Sequence, residues 1–282
     1  MVAACCVYYN PHISFQDSRT LLIGHFSCIE DVEVFESLMS ACYHYAQDAG
    51  CKYLLGPING STWEDYRFAV EGTAPRFFTE PEQSKYYPRL WAEAGFEQVA
   101  GYYSSEALLS NIPDQWAAYE AALSGAGITV SDATGIDWRQ TVEALYPLCS
   151  TAFSHAPFYS PVSADHFIEK YTAIQKVWRP ELILIARNAA GQPLAFILAL
   201  PNHLDGSGES CILKTIARLP DADVDGLIPY MGYRLYAVAK SLGYTRIIHA
   251  FMHEDNRSLL RSGQAGGAII RRYALFAKKV IA

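Results

Sequence analysis

The residues best suited to chemistry gather toward the C-terminal end of the chain. His249 and His253 flank the end of an apolar run, with Glu254 beside them. An imidazole or carboxylate so placed can accept a proton from an amine near neutral pH, the work of a general base. Tyr273 and Tyr230 offer hydroxyls that could reach a leaving group. In the first half, a turn-rich stretch (Gly56, Pro57, Asn59, Gly60) precedes Trp63, Tyr66 and Arg67, an aromatic and cationic set suited to a carboxylate or a planar group. Lys214, where a later strand begins, could also meet a carboxylate. Each has a plainer structural reading. His249 suits a strand histidine with satisfied hydrogen bonds, Asp255 or Asn256 a helix cap, Trp63 a loop packed under its own aromatics, and the tyrosines core or edge packing. His and Cys residues lack metal-ligand spacing, and no Gly-x-Ser-x-Gly elbow occurs, which counts against metalloenzymes and hydrolases.

The 22 Lys+Arg against 29 Asp+Glu give a net charge of −7, no basic footprint for nucleic acid, and a better match to a small or cationic substrate. The seven cysteines include no CxxC spacing, so reduced thiols are expected rather than a disulfide framework. No apolar run approaches the roughly 20 residues that span a bilayer, and residues 2–9 carry no leader pattern. A cytoplasmic protein without a membrane partner is the expectation.

At 282 residues two domains are expected, divided near 125 into 1–125 and 126–282. Apolar spacing predicts a strand over 20–28, a helix over 31–49 stopped by Gly50, and a strand over 52–56. A helix over 84–94 and a strand over 96–104 follow. The second half opens with helices over 137–154 and 164–178 and a hairpin, 182–186 with 194–200, turned by Asn188-Ala189-Ala190-Gly191. It then repeats the first: strand 211–219, helix 228–242, Gly243, strand 245–251. Moving the chain by 193 residues lays Gly50 on Gly243, Leu54 and Leu55 on Ile247 and Ile248, and Ile23 on Ile216. Gly95-Phe96 leading into Tyr102 is echoed by Gly266-Gly267 leading into Tyr273.

This order of elements, with ILKTIARLP (212–220) and HEDNRS (253–258), resembles the GNAT superfamily of acyl-CoA N-acyltransferases, here as two diverged copies. GPINGSTWEDYR (56–67), FFTEP (77–81) and YYPRLWAEAGF (86–96) resemble the first copy of two-repeat GNAT-like proteins. The resemblance implies an α/β (α+β) fold of two GNAT-like units, each a mixed, mostly antiparallel twisted sheet flanked by helices. It further implies that the strand at 212–219 splays from that at 245–251. Amides of Ile216, Ala217, Arg218 and Leu219 would then receive the arm of acetyl-CoA or another acyl-CoA, helped by Gly226, Leu227 and Asn256, with no metal. The superfamily's basic, glycine-rich diphosphate loop is replaced by Asp223-Val224-Asp225-Gly226-Leu227-Ile228, with Asp221 nearby. These carboxylates are expected to weaken a diphosphate's hold. No Tyr occurs in 259–265, where the superfamily often places its acid.

The resulting expectation is an N-acyltransferase acting on a small amine, with the donor in the second copy, His249, His253, Glu254 or Tyr273 in proton transfer, and Trp63, Tyr66 and Arg67 on the acceptor. A non-catalytic GNAT-like binding module stands as the alternative. Aminoacyl transfer from a charged tRNA is a third reading, disfavoured by the charge. Acceptor and oligomeric state are not encoded in any motif.

Overall fold

In the computed structural model, residues 1–222, 224 and 226–280 are described. The first half runs β1 (Ala3–Tyr8), β2 (Ser14–Phe15), β3 (Ser18–Cys28), α1 (Val32–Asp48), β4 (Tyr53–Gly56), β5 (Phe68–Glu71), α2 (Tyr87–Glu93) and β6 (Glu97–Leu108). Helix α3 (Ala117–Gly125) leads to β7 (Thr129–Asp132), α4 (Trp138–Phe153), α5 (Ala164–Thr172), β8 (Ile183–Arg187) and β9 (Pro193–Pro201). The chain ends with β10 (Ser210–Arg218), α6 (Leu227–Ser241), β11 (Arg246–His253), α7 (Arg257–Gln264) and β12 (Ala268–Lys279).

Local chemistry accounts for the repeated unit. Asp31 caps α1 by accepting from the Val34 amide at 3.0 Å, and Phe35, Met39, Cys42 and Ala46 bury one stripe. Helices α1 and α6 stop in the same way. Gly50 and Gly243 take positive φ (66° and 89°), and the next amide folds back onto the helix, Cys51 to Ala46 O at 2.8 Å and Tyr244 to Ala239 O at 3.1 Å. Each helix joins a parallel strand pair, β3 with β4 and β10 with β11. The unit strand–helix–strand thus occurs twice in the same order.

The ungapped alignment needs correction. Paired residues Tyr53 and Arg246 lie 193 apart, but their partners Thr20 and Ser210 lie 190 apart. The second copy therefore holds three additional residues between its splaying strand and its helix. Structurally Ile23 corresponds to Leu213 rather than Ile216.

Twelve strands form a single open sheet in the order β1-β3-β4-β12-β6-β11-β10-β9-β8-β7, with β2 on β3 and β5 on β12. All pairings are antiparallel except the two parallel pairs. The last strand of each copy lies beside the other copy's core: β12 pairs with β4, β6 pairs with β11, and β6 and β12 pair with each other at the centre. Tyr102 and Tyr273, the two echoed tyrosines, are direct partners there. Helices α1, α2 and α6 cover one face, while α4, α5 and first-half loops cover the other.

Because the last strands are exchanged, neither half holds a complete sheet of its own. Leu54→Ala in the first half and Leu235→Ala in the second, both fully buried, should each lower one common unfolding transition by about 2–5 kcal/mol. Urea unfolding followed by tryptophan fluorescence and far-UV circular dichroism checks this. Two transitions, each answering to only one substitution, would contradict it.

Candidate active site

The parallel pairing of β10 with β11 runs from Ser210/Arg246 to Leu213/His249 and stops. Both strands are irregular at that point. In β10 the register against β9 shifts between Leu213 and Thr215, so Lys214 is a bulge residue. In β11 the register against β6 shifts between His249 and Met252, and Phe251 sits at φ 58°. Bulges re-aim side chains and end pairing, and here they open the strands. Among the described residues, 215–218 then pair only with β9, so the side of β10 that faces β11 has lost its strand partner there. Beyond β11 the chain stays with β6, Glu254 N donating to Gly101 O at 3.0 Å.

The first copy opens in the same place but is closed by its own chain. Pairing of β3 with β4 ends at Leu22/Leu55, after which Ile58 N donates to Ile23 O at 2.8 Å and Asn59 Oδ1 accepts from His25 N at 2.7 Å. A Cβ on Gly24 would lie 2.4 Å from Ile58 O, so the strand and the 58–59 backbone are in direct contact.

Strand register divides the sequence-predicted residues between two faces. Tyr102, Ser104, Tyr273 and His253 share the face that carries α4 and α5, whereas Gly101, Ser105 and His249 share the face under α6. On the first face Arg67 is held in an aromatic cage, its guanidinium carbon 3.7 Å from the Tyr66 ring, 4.4 Å from Tyr102 and 4.5 Å from Phe251. Its Nε donates to Tyr66 O at 3.1 Å, while Nη1 is buried without a partner. His253 meets the Tyr102 ring edge at 5.1 Å and accepts the Asp255 amide on Nδ1 at 3.2 Å. Tyr273 is 2% exposed, bonded to Ser104 Oγ at 3.1 Å, and burial pushes its hydroxyl far up, so it keeps its proton. Lys214 reaches solvent yet is crowded by protein. That crowding, with Lys170 and Arg67 nearby, lowers its ammonium to about 8.

Trp63 and Glu64 join the halves. Trp63 Nε1 donates to Ser160 O at 2.9 Å and its ring packs on Phe153 and Phe167. Glu64 is bound by His166 and Lys170, each at 2.8 Å. Trp63 is therefore anchored to α4 and α5 of the second half, apart from the Arg67 cage.

On the other face, His249 is 4% exposed and has both nitrogens engaged, Nδ1 with Ser262 Oγ at 2.7 Å and Nε2 with Tyr236 Oη at 3.1 Å. Burial lowers it to about 4. This leaves no free lone pair for a base, which corrects the expectation for His249. Glu254 lies over Gly101, Oε1 accepting that amide at 2.7 Å, and Oε2 has no hydrogen-bond partner among the described residues. Asn256 caps α7, Oδ1 accepting from Ser258 N at 2.9 Å.

The expected donor residues divide as well. Ile216, Ala217 and Arg218 lie past the end of the β10–β11 pairing, but Leu219 N donates to Leu194 O at 3.0 Å. Gly226, at φ 87°, begins α6 beneath the Tyr119 ring, which a Cβ there would strike at 2.5 Å. Leu227 is buried and its amide donates to Val224 O at 3.1 Å. Asp223 and Asp225 lie outside the described residues, and Asp221 is exposed. The sequence reading missed a basic group beside the opening: Arg261 is lowered by partial burial and by the nearby charges of Arg257 and Arg218. Unpaired strand edges and these arginines fit the arm and phosphates of an acyl-CoA. The covered start of α6 does not fit a diphosphate.

This is the fold of the GNAT superfamily, present as two copies within one sheet. Compared by sequence, the chain matches no described protein family and no curated protein. Among solved structures it is similar to a GCN5-related N-acetyltransferase from Sphaerobacter thermophilus (TM-score 0.57, 15% identity, covering 100% of this chain and 78% of that one). It is also similar to a GCN5-related glucosamine N-acetyltransferase region of a fungal multi-domain GH3 β-N-acetylglucosaminidase (TM-score 0.59, 14% identity, 98% of this chain). The chain spans 31% of the length of that fungal protein. A tandem GNAT protein from the clavulanic acid biosynthesis pathway aligns at TM-score 0.51 and 10% identity, covering 93% and 76% of the two chains. Among the described residues, no helix is long and apolar enough to cross a membrane.

The buried His249 makes a pH prediction. Neutral in the fold until about pH 4 and ordinarily titrating at 6.5, it leaves the unfolded chain holding more protons between those values. Stability should therefore fall as pH drops from 6.5 to 4, by about 3 kcal/mol from this group. Denaturant unfolding at pH 7 and 4.5 should show a shallower loss in His249→Gln than in the wild type. An equal loss in both would contradict it.

Proposed function

We propose that the protein is an N-acyltransferase that holds an acyl-CoA in the opening between β10 and β11 and receives a small amine from the face bearing the Arg67 cage. The observation that carries this reading is the asymmetry of the two openings: the 58–59 segment fills the first, while among the described residues no strand pairs with β10 across the second. A strand edge with unpaired polar groups is stabilised by a ligand that satisfies them.

Bound acyl-CoA supplies an acyl group activated as a thioester. The amides of Ile216 and Arg218, which alternate away from β9, donate to the arm and to the carbonyl oxygen, where preformed donors favour developing negative charge. Arg218, Arg257 and Arg261 attract the phosphates. Glu254, on the opposite face from the cage, is the proposed base and takes the amine's proton across the opening through Oε2; His253, beside Tyr102, has its Nδ1 lone pair engaged by the Asp255 amide. Tyr273 keeps its proton and orients Ser104, whose Oγ accepts from Phe251 N at 3.1 Å.

A binding module without catalysis is the second reading, favoured by Tyr119 over Gly226 and by the Leu227 amide bonded to Val224. Calorimetric titration with acetyl-CoA at low salt separates the two. The enzyme reading expects binding by the wild type and at least tenfold weaker binding by Arg261→Glu, which exchanges attraction for repulsion at the phosphates. No binding by the wild type would remove it.

With an accepted amine, Glu254→Gln should slow thiol release about 10²–10⁴-fold while acetyl-CoA still binds. An unchanged rate in Glu254→Gln would remove Glu254 as the base.

A further inference from the structure

The Arg67 cage and Lys214 form an unusual pair of cations. Among the described residues neither has an ion-pair partner, in a chain of net charge −7. Of the two acidic groups of the loop that act on Lys214, Asp65 is exposed and Glu64 is already held by His166 and Lys170 at 2.8 Å each. Arg67 also has a buried Nη1 without a hydrogen-bond partner among the described residues. A buried donor without an acceptor is costly to the fold unless a ligand supplies one.

The backbone adds an independent sign. Arg67 (φ 74°) and Phe251 (φ 58°) are both in the left-handed region, which disfavours residues other than glycine, and their side chains are in contact. Such strained residues gather at ligand sites. Here one holds the guanidinium against three rings and the other marks the bulge where β11 parts from β10. Lys214 is the matching bulge residue of β10.

From these features, and resting on the acyltransferase reading above, we infer that the acceptor carries a carboxylate, which docks between Arg67 and Lys214 and aims its amine at the opening between β10 and β11. The planar guanidinium presents the paired donors that a carboxylate's two oxygens match, and the lysine adds a second charge from the opposite strand. The same two cations disfavour the substrate's own ammonium form, so they raise the fraction of neutral, nucleophilic amine. An amine without a carboxylate would meet two like charges and nothing to offset them. The acceptor class is thus an amino acid or an amine of similar build.

The test is calorimetric titration, first without any acyl-CoA, of a panel of L-amino acids against matching amines that lack the carboxylate, such as tyrosine with tyramine and lysine with cadaverine. At least one acid should bind tenfold or more tightly than its amine. Lys214→Met and, separately, Arg67→Gln should each weaken the acid by tenfold or more without weakening the amine, from which each removes a like charge. Lys214→Met keeps the test open where loss of Arg67 unsettles the cage. Equal binding of acid and amine, no acid bound, or variants indistinguishable from the wild type would overturn the inference. A parallel titration with acetyl-CoA and succinyl-CoA separates the sources of a carboxylate. If Lys214→Met weakens only succinyl-CoA and no amino acid binds, the carboxylate belongs to the donor and the acceptor assignment falls. Acid binding without acetyl-CoA binding would remove the acyltransferase reading but leave the anion site standing. Acetyl-CoA binding without preference for the acid would remove the inference alone.

Discussion

The pairing of β6 with β12 is the contact on which the molecule depends. Each is the last strand of one copy, each completes the other copy's sheet, and Tyr102 meets Tyr273 where they cross the centre. Two incomplete sheets become one, and the exposed edges that each would present are removed. The same pairing brings first-half side chains to a second-half site. Tyr102 arrives on β6 beside β11, and the loop before β5 lays Arg67 against Tyr102 and Phe251. Without the exchange, the strands that open would have no first-half residues facing them.

Within that symmetric frame the two copies differ in one place. In the first, the backbone after β4 turns across the opening and satisfies it with Ile58 and Asn59. In the second, the backbone after β11 remains with β6, and among the described residues no strand pairs with β10 on that side beyond Leu213. The three extra residues before α6 are also confined to the second copy. One copy thus closes its opening with its own chain, and the other keeps the opening on which the proposed donor site rests. Bulges at Lys214 and Phe251 supply that geometry, because ending a parallel pair requires both strands to bend.

Much of the frame could be read from the amino-acid sequence. The apolar stripes of α1 and α6, the stops at Gly50 and Gly243, and the turn where Asn188 Oδ1 accepts from the Ala190 and Gln192 amides all follow from local periodicity and turn chemistry. The strands β1, β5 and β7 were not evident, being short or half-exposed and without clear alternation. Strand exchange was hidden for a deeper reason: an apolar pattern states that a strand is buried but not which strand lies beside it. Register was equally hidden, so the sequence could not decide whether Lys214 meets a carboxylate or whether His249 is a base or a strand histidine with satisfied hydrogen bonds; a bulge exposes the first, and the second is buried with both nitrogens engaged. The echo of Tyr102 in Tyr273 was present in the sequence and marked the central pair. Only the pairing itself placed Arg67, Tyr66 and His253 around Tyr102 and moved Glu254 to the opposite face.

The central claim is that a donor seats between β10 and β11 and not in the equivalent opening of the first copy. Hydrogen exchange read by mass spectrometry, with and without saturating acetyl-CoA, addresses both openings in one measurement. The 214–218 segment should gain protection on adding acetyl-CoA, because a ligand in the opening satisfies the amides that face away from β9, while 23–28 should be unchanged. Protection at 23–28, or at neither segment despite binding, would contradict the account.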